Sequence, residues 1–311
     1  MSKKSNNKTI RTIITIIFLI VMAFFGGENF LDIFTAESQQ VSGVEGLENV
    51  TVSTGKACIS SIDINEDVLR VYFFDVGQAD SILIVNNGES MLIDAGNNDD
   101  GDLVVDNLEK IGIKKLNYVV GTHAHEDHIG GLDDVINNVK VGTVMMPRTI
   151  STTKTYEDVI DAISGNKLKI TVPKVGKTFN VGNAKCEVMS IEDNKDDMNK
   201  CSIVIRLEYN GLSYLFTGDS EKGNEDARSW PQTNVLKAGH HGSSTSSSKS
   251  FLNQVLPQIS IISVGKDNDY NHPHDEVINR LEKMETLIYR TDEKGNILLE
   301  SDGKNNKVSF Y

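Results

Sequence analysis

All seven histidines of the chain fall into three tight groups: His123, His125 and His128; His240 and His241; His272 and His274. The first group, Thr122-His123-Ala124-His125-Glu126-Asp127-His128, directly follows the apolar run over 116–120. Imidazole and carboxylate donors this close together can face one point only where the chain loops at the end of a strand. Gly121 before the group and Gly130-Gly131 after it supply the backbone freedom for such a loop, with a helix following from Gly131. The pattern is not the helical zincin one, which needs two histidines four apart with Glu after the first. Mixed nitrogen and oxygen donors suit Zn²⁺, Mn²⁺ or Fe²⁺.

Composition narrows the field further. With 24% charged and 39% apolar residues, the 311-residue chain is neither disordered nor a polytopic membrane protein. Its net charge of −13 excludes a protein that holds nucleic acid by covering phosphates with Lys and Arg. Three scattered cysteines (Cys58, Cys186 and Cys201) exclude a disulfide scaffold or a thiolate zinc module, and leave open a single Cys186–Cys201 bridge or free thiols. No GxGxxG or P-loop fingerprint is present, so no nucleotide cofactor is expected.

The first sixty residues differ in kind. Lys3, Lys4, Lys8 and Arg11 precede sixteen uncharged, mostly apolar residues over 12–27, the pattern of an export segment. As a helix at ~1.5 Å per residue they reach ~24 Å, short of a ~30 Å hydrocarbon core, with Arg11 able to snorkel. Residues 1–27 therefore read as a signal peptide or a transmembrane anchor. Ala36-Glu37-Ser38 has the small-residue spacing of a cleavage site but lies far beyond the apolar run, which favours a retained anchor. Residues 28–61 mix Ser, Gly, Gln, Glu, Thr and Val without a period and read as a linker. Acidic and basic residues balance over the first sixty, so the acidity belongs to a folded unit over 62–311. The protein is expected to be exported, at the extracellular face of a bacterial membrane or secreted.

Within that unit, β-branched and aromatic runs predict strands over 68–74, 81–85, 90–93, 116–120, 143–146, 185–191, 202–207, 213–216, 234–237 and 259–263. Asn86-Asn87-Gly88 and Asn210-Gly211 are hairpin signals. Helical periods cover 102–111, 131–138, 156–164, 250–256 and 275–283. Strand pairs with interleaved helices suggest two sheets flanked by helices.

His123-x-His125-x-Asp127-His128 resembles the signature of the metallo-β-lactamase superfamily, and further motifs follow in that family's order. Leu92-Ile93-Asp94-Ala95-Gly96 is similar to its early strand-end Asp, and Leu215-Phe216-Thr217-Gly218-Asp219 to its later metal-bridging Asp. Phe74-Asp75-Val76-Gly77-Gln78-Ala79-Asp80 and Leu236-Lys237-Ala238-Gly239-His240-His241-Gly242-Ser243 resemble the extracytoplasmic hydrolase domain of the ComEC/Rec2 competence proteins. So does Ser263-Val264-Gly265-Lys266 with the later Asn271-His272-Pro273-His274. The resemblance runs from about residue 68 to the end. It implies an α/β (α+β) fold, a four-layer αββα sandwich, with one or two divalent ions (Zn or Mn) at its edge.

By this resemblance His123 and His125 hold one ion, Asp127 and His128 hold the second, and Asp219 bridges them. One of His240 and His241 completes the second site. Asp94 is implied to orient a ligand histidine and joins Asp127 and His272 as a catalytic candidate. Two departures stand out. Ala79 sits where the subgroup usually has Gly, and no histidine lies between His128 and His240 to act as the third imidazole of the first site. Asn199 matches the Asn found before a strand in ComEC-like domains.

The implied chemistry is hydrolysis. A divalent ion lowers the pKa of bound water from ~16 to ~7, and two ions stabilise both oxygens of an in-line displacement at phosphorus. The expected activity is an exported metal-dependent phosphodiesterase or nuclease, acting on DNA or on a cell-envelope polymer such as a phosphocholine-bearing teichoic acid. Lactam or lactone hydrolysis and a non-catalytic binding module are the rivals. Ser243 and Ser244 open a Ser-rich patch before a helix, which suits either a capped flexible loop or a phosphate site. With Asn199 and His272 they are the substrate-binding candidates. His272 is placed to donate to a phosphoryl oxygen or leaving group, and His274 to start the next helix. Lys237, Lys249 and Lys266 are candidates for a local basic groove that would offset the net negative charge.

Overall fold

The predicted strands carry apolar residues on both faces, a pattern that only a sheet covered on both sides accommodates. The computed structural model, which describes residues 37–38, 50–56, 59–194 and 196–311, contains two such sheets. In chain order the first strands are β1 (Glu37–Ser38), β2 (Val50–Lys56), β3 (Leu69–Phe73), β4 (Ile82–Asn86), β5 (Glu89–Ile93), β6 (Lys115–Val120), β7 (Lys140–Met145) and β8 (Ile170–Thr171). The second set is β9 (Thr178–Val181), β10 (Ala184–Ser190), β11 (Val204–Tyr209), β12 (Leu212–Phe216), β13 (Val235–Lys237), β14 (Ile259–Ile262) and β15 (Leu287–Arg290). The chain then returns to the first sheet with β16 (Ile297–Ser301) and β17 (Asn306–Phe310). From β2 onward the first sheet orders as β2-β17-β16-β3-β4-β5-β6-β7-β8, and the second as β15-β14-β13-β12-β11-β10-β9.

Alternation along each strand sorts side chains into three separate cores. Leu69, Val71 and Phe73 of β3 meet Ile205, Leu207, Tyr214 and Phe216 of the other sheet in the central core. Tyr72, Leu83 and Leu92 face the opposite way. They pack with Val104 and Leu108 of α1 (Gly101–Ile111), and with residues further on of two helices after the α2 turn (Glu126–Ile129), α3 (Leu132–Asn138) and α4 (Lys154–Gly165). On the far face of the second sheet, Val204, Leu215, Leu236 and Ile262 meet residues of α6 (Lys249–Val255) and α7 (Asp275–Glu282), which follow α5 (Lys222–Asp226). A last turn, α8 (Thr291–Lys294), leads into β16. The layers are helix, sheet, sheet, helix, as expected. Full burial of a residue such as Phe73 or Phe216, whose rings lie 6.3 Å apart, contributes about 1.5–3 kcal/mol.

Both hairpin signals are observed. Asn86 pairs with Glu89 across Asn87 and Gly88, both at positive φ, and Tyr209 pairs with Leu212 across Asn210 and Gly211 in the same conformation. One boundary moves. Val50–Lys56, read above as linker, is a strand paired in parallel with β17, Val52 opposite Val308. Its partner lies some 250 residues away, so nothing local announces it. The strands β15, β16 and β17 likewise went unpredicted, and β16 pairs antiparallel with β3, Leu299 opposite Val71. Cys186 and Cys201 are buried free thiols, which settles the open bridge, and Cys201 Sγ lies 3.0 Å from Thr149 Oγ1. The export segment over 1–27 lies outside the described residues, among which no helix is long and apolar enough to cross a membrane. Strands β5 and β6 are parallel, as are β12, β13 and β14, so the carboxyl ends of several strands in each sheet open toward one edge.

Candidate metal centre

The edge is assembled from strand ends. Asp94 leaves β5 at positive φ, and its N–H donates to Val120 O at 2.8 Å, tying the end of β5 to that of β6. Thr122, just past β6, donates its N–H and Oγ1–H to the two Asp94 carboxylate oxygens, each at 2.8 Å. The single turn α2, capped by His125, then delivers Asp127 and His128. This loop lies against the end of β5 so closely that a Cβ on Gly130 would sit 2.2 Å from the Asn97 carbonyl carbon, which explains the glycine there. From the other sheet, Asp219 follows β12 and its N–H donates to Ser202 Oγ at 3.1 Å. His240 and His241 follow β13, and both take the left-handed conformation at φ 51°.

Asp219 is buried and divides the site. Its Oδ1 lies 3.2 Å from His128 Nε2 and 3.8 Å from His241 Nε2. Asp127 Oδ2 is 3.2 Å from His241 Nε2 and 3.9 Å from His128 Nε2. The far nitrogens of these imidazoles are fixed. His128 Nδ1 donates to Asp94 Oδ2 at 2.8 Å, and His241 Nδ1 donates to the Ser263 carbonyl at 2.9 Å. In the neutral rings that leaves Nε2 of each with its lone pair toward Asp219, the arrangement that metal-binding histidines adopt. Burial opposes charge on His128, but the carboxylates of Asp219, Asp127 and Asp94 outweigh it and hold its pKa well above the ordinary imidazole value. Burial raises the pKa of Asp94 despite the neighbouring His128.

The donor set fits a divalent cation. His128 Nε2, His241 Nε2 and Asp219 Oδ1 are buried with no hydrogen-bond partner among the described residues. Donor atoms of Asp127, His128, Asp219 and His241 all lie within 4.8 Å of one another. Buried polar atoms normally have partners, and a cation is one that four converging lone pairs accept. Asp80, Asp94 and His128 form a second close group, in which Asp94 and one oxygen of Asp80 are already engaged while Asp80 Oδ1 has no hydrogen-bond partner among the described residues. Lys237 Nζ, fully buried, sits 2.7 Å from Asp80 Oδ2, and Thr122 holds Asp94.

On the other side of Asp219, Oδ2 lies 3.6 Å from His240 Nε2 and 3.9 Å from His123 Nε2. His123 Nε2 and His125 Nδ1 are 3.0 Å apart. The Oγ1–H of Thr122 goes to Asp94, so toward His123 Nδ1, at 3.1 Å, that oxygen accepts. His123 therefore carries its proton on Nδ1, and its Nε2 accepts from His125. Asn199 reaches Glu221 Oε1 with its Nδ2 at 3.4 Å, while its Oδ1 is buried with no partner among the described residues.

These groups floor a cleft of about 350 Å³ whose lining includes His125, Asp127, Asp219, His240, His241 and His272. Gln78, Glu126 and Tyr270 also line it, none of which was singled out as a site residue. Gln78 stood within a quoted motif, and Tyr270 lies two residues before His272, so proximity to the motifs was their only signal. His272 is half-buried. Burial first, then the neighbouring His240, His241 and His274, press its pKa down to about 4. Its Nδ1 lies 3.4 Å from Gln78 Nε2, and Tyr270 stacks on its ring at 5.6 Å. His274 caps α7, as expected, and accepts from Ser244 N at 2.9 Å.

Two expectations are corrected. Ser243 and Ser244 do not line the cleft, and the Ser-rich patch is already occupied: the N–H groups of Ser247 and Ser248 donate to Glu225 at 2.6 and 2.9 Å, and Ser248 Oγ caps α6. The buried carboxylate of Glu225 thus takes the N–H groups that open α6. Lys237 belongs to no surface groove, since its ammonium is sealed beneath the site against Asp80, and neither Lys249 nor Lys266 lines the cleft.

Comparison with known proteins agrees with this geometry. A model of the metallo-beta-lactamase superfamily matches residues 74–266. ComE operon protein 3 of Bacillus subtilis (strain 168) is 33% identical over 205 residues, which cover 64% of this chain and 26% of that protein. Recombination protein 2 of Haemophilus influenzae is 28% identical over 244 residues, covering 75% of this chain and 29% of that protein. The chain thus spans between a quarter and a third of the length of these relatives. The crystal structure of the metallo-beta-lactamase fold protein YhfI from Bacillus subtilis superposes with a TM-score of 0.53 at 13% identity, over 76% of this chain and 100% of that one, a likeness of fold. With its family model, its αββα layers and its strand-end His/Asp cluster, the chain belongs to the metallo-β-lactamase superfamily of hydrolases, and competence proteins are among its homologues.

Proposed function

We propose that the chain is a phosphodiesterase that cleaves nucleic acid at a centre of two divalent ions. The observation that carries this reading is Asp219, which turns one oxygen to His128 and His241 and the other to His123 and His240 at the floor of a polar cleft. Asp127, His128 and His241 would hold one ion with Asp219, and His123 and His125 the other. When bound, the ions supply Lewis acidity at phosphorus and a water acidic enough to ionise near neutral pH.

The remaining work falls to the chain's own groups. Asp94 and the Ser263 carbonyl keep His128 and His241 in the tautomer that faces the ion. Lys237 neutralises Asp80 below them, so that buried carboxylate places no unpaired charge beneath the site. His272, neutral at pH 7 and accepting from Gln78 at Nδ1, carries its proton on Nε2 and offers it as a hydrogen bond to a phosphoryl oxygen or to the leaving group.

Nucleic acid as the substrate is supported by similarity to proteins named for competence and recombination. The net charge of −13 means that affinity comes from the site, one phosphate at a time, rather than from bulk attraction. Action outside the cytoplasmic membrane, with residues 1–27 as anchor or signal, is supported by the basic flank and the apolar run.

The test uses the 311-residue chain with Mn²⁺ or Zn²⁺. Single- and double-stranded DNA, bis-p-nitrophenyl phosphate, a phosphocholine-bearing teichoic acid and a chromogenic lactam are assayed beside Asp127→Ala. Metal-dependent DNA cleavage that Asp127→Ala abolishes is the expected result. Equal rates for the two proteins would sink the mechanism. Turnover of the lactam or the teichoic acid alone would replace the substrate.

A further inference from the structure

The two adjacent histidines after β13 pose a problem that the metal centre above does not solve. His241 alone completes the group around Asp219 Oδ1. Yet His240 is also held in the left-handed conformation, at φ 51° and ψ 49°. A non-glycine residue adopts this conformation only under strain, and such strain persists where surrounding contacts demand it. Two successive residues in this conformation send neighbouring side chains to opposite oxygens of one carboxylate.

Resting on the two-ion reading above, we propose that His240 is the third imidazole of the ion site on the Oδ2 side of Asp219. It takes the place that the sequence leaves without a histidine between His128 and His240. Three observations carry this assignment. His240 Nε2 lies 3.6 Å from Asp219 Oδ2, the same oxygen that His123 Nε2 approaches at 3.9 Å. His240 Nδ1 is engaged on the opposite edge of the ring, 3.1 Å from Thr245 Oγ1 and 3.5 Å from Glu221 Oε1. This repeats the pattern of His128 on Asp94 and His241 on Ser263, in which an outer acceptor fixes the ring and frees Nε2. Finally, the His240 N–H donates to Gly218 O at 3.1 Å, so the backbone that carries the ring is bonded to the loop that carries Asp219.

The assignment also gives Asn199 a role. Its Nδ2 reaches the same Glu221 oxygen that faces His240, at 3.4 Å. Asn199 then stands at the position of the missing ligand as a positioning residue. It steers Glu221, and Glu221 steers the imidazole arriving from the other sheet.

Metal binding, read by titration calorimetry with Mn²⁺ and by elemental analysis of the desalted chain, tests this independently of any turnover. The wild-type chain is expected to hold two ions. His240→Ala should hold one, with the affinity of the retained ion unchanged within a few-fold, and His241→Ala should weaken the other. Glu221→Gln, which keeps the shape of the side chain, should weaken only the Oδ2-side ion, by ~10–100-fold. Circular dichroism establishes that each variant is folded. Should His240→Ala fail to fold, Glu221→Gln decides alone. Two ions bound by His240→Ala at wild-type affinity, or an unchanged Glu221→Gln titration, would overturn the assignment and leave the phosphodiesterase reading standing. A wild-type chain that binds a single ion would overturn the assignment, and one that binds none would remove both.

Discussion

The two oxygens of Asp219 face groups built to different standards. On the Oδ1 side His128 and His241 are buried, each has its Nδ1 fixed at 2.8–2.9 Å, and their Nε2 atoms have no hydrogen-bond partner among the described residues. On the Oδ2 side His123 Nε2 is occupied by His125, and the His240 side chain is 24% exposed at the cleft wall. The first group is preorganised in geometry: its rings already face Asp219, and a cation that enters displaces the proton the surrounding carboxylates favour on His128. The second must give up a histidine–histidine hydrogen bond first. On the two-ion reading, this difference predicts unequal affinity on the two sides of Asp219. A site assembled from one residue type can thus be graded by what supports each ring rather than by which rings are present.

That contrast can be broken most completely at its hinge. Asp219→Ala should abolish binding of both ions, read by elemental analysis, and reduce phosphodiester turnover to background. A variant that still holds one ion tightly would show that the halves do not share the carboxylate. Next in size is Lys237→Met, which strands the buried Asp80 charge 3.6 Å from His241 Nδ1 and 3.8 Å from His128 Nδ1. The loss should be about 3–5 kcal/mol in urea unfolding, largely recovered when Asp80→Asn is added. An unchanged midpoint would mean that the pair contributes nothing.

Asp94→Asn sharpens the comparison by acting on one half. It should weaken the Oδ1-side ion by ~10–100-fold and leave the other within a few-fold. Equal weakening of both would contradict the division. The smallest effect is expected from Thr122→Val, whose hydroxyl reaches both Asp94 Oδ2 and His123 Nδ1. Loss of those bonds should cost each ion about 0.5–1.5 kcal/mol in calorimetry, a modest change felt on both sides.

Much of the centre is legible in the sequence. The His123-to-His128 loop was legible from its own donors and flanking glycines at a strand end, whereas Asp94 and Asp219, which also stand at strand ends, were pointed to by the family resemblance. The hairpins at Asn87-Gly88 and Asn210-Gly211 were legible because short sequence and local conformation agree there. The misreadings share one cause. Val50–Lys56 pairs with β17, the Ser247 and Ser248 amides are taken by Glu225 from 22 and 23 residues earlier, and Lys237 is claimed by Asp80 from the other sheet. Each partner is remote in sequence, so composition near the residue pointed to solvent, linker or phosphate instead.

By itself the sequence pointed to two sheets flanked by helices and to the donor types near the strand ends, through alternation, turn chemistry and donor identity, while the αββα layer order and the reaction class came from the resemblance its motifs carry. It did not determine which histidine meets which oxygen. His240 and His241 are adjacent and chemically identical, and only the left-handed backbone and the packing of one sheet edge on the other send them apart. The tertiary structure also decided which charges are free. A lysine counted toward a surface groove became an internal counter-ion, because burial makes an unpaired carboxylate too costly to leave alone.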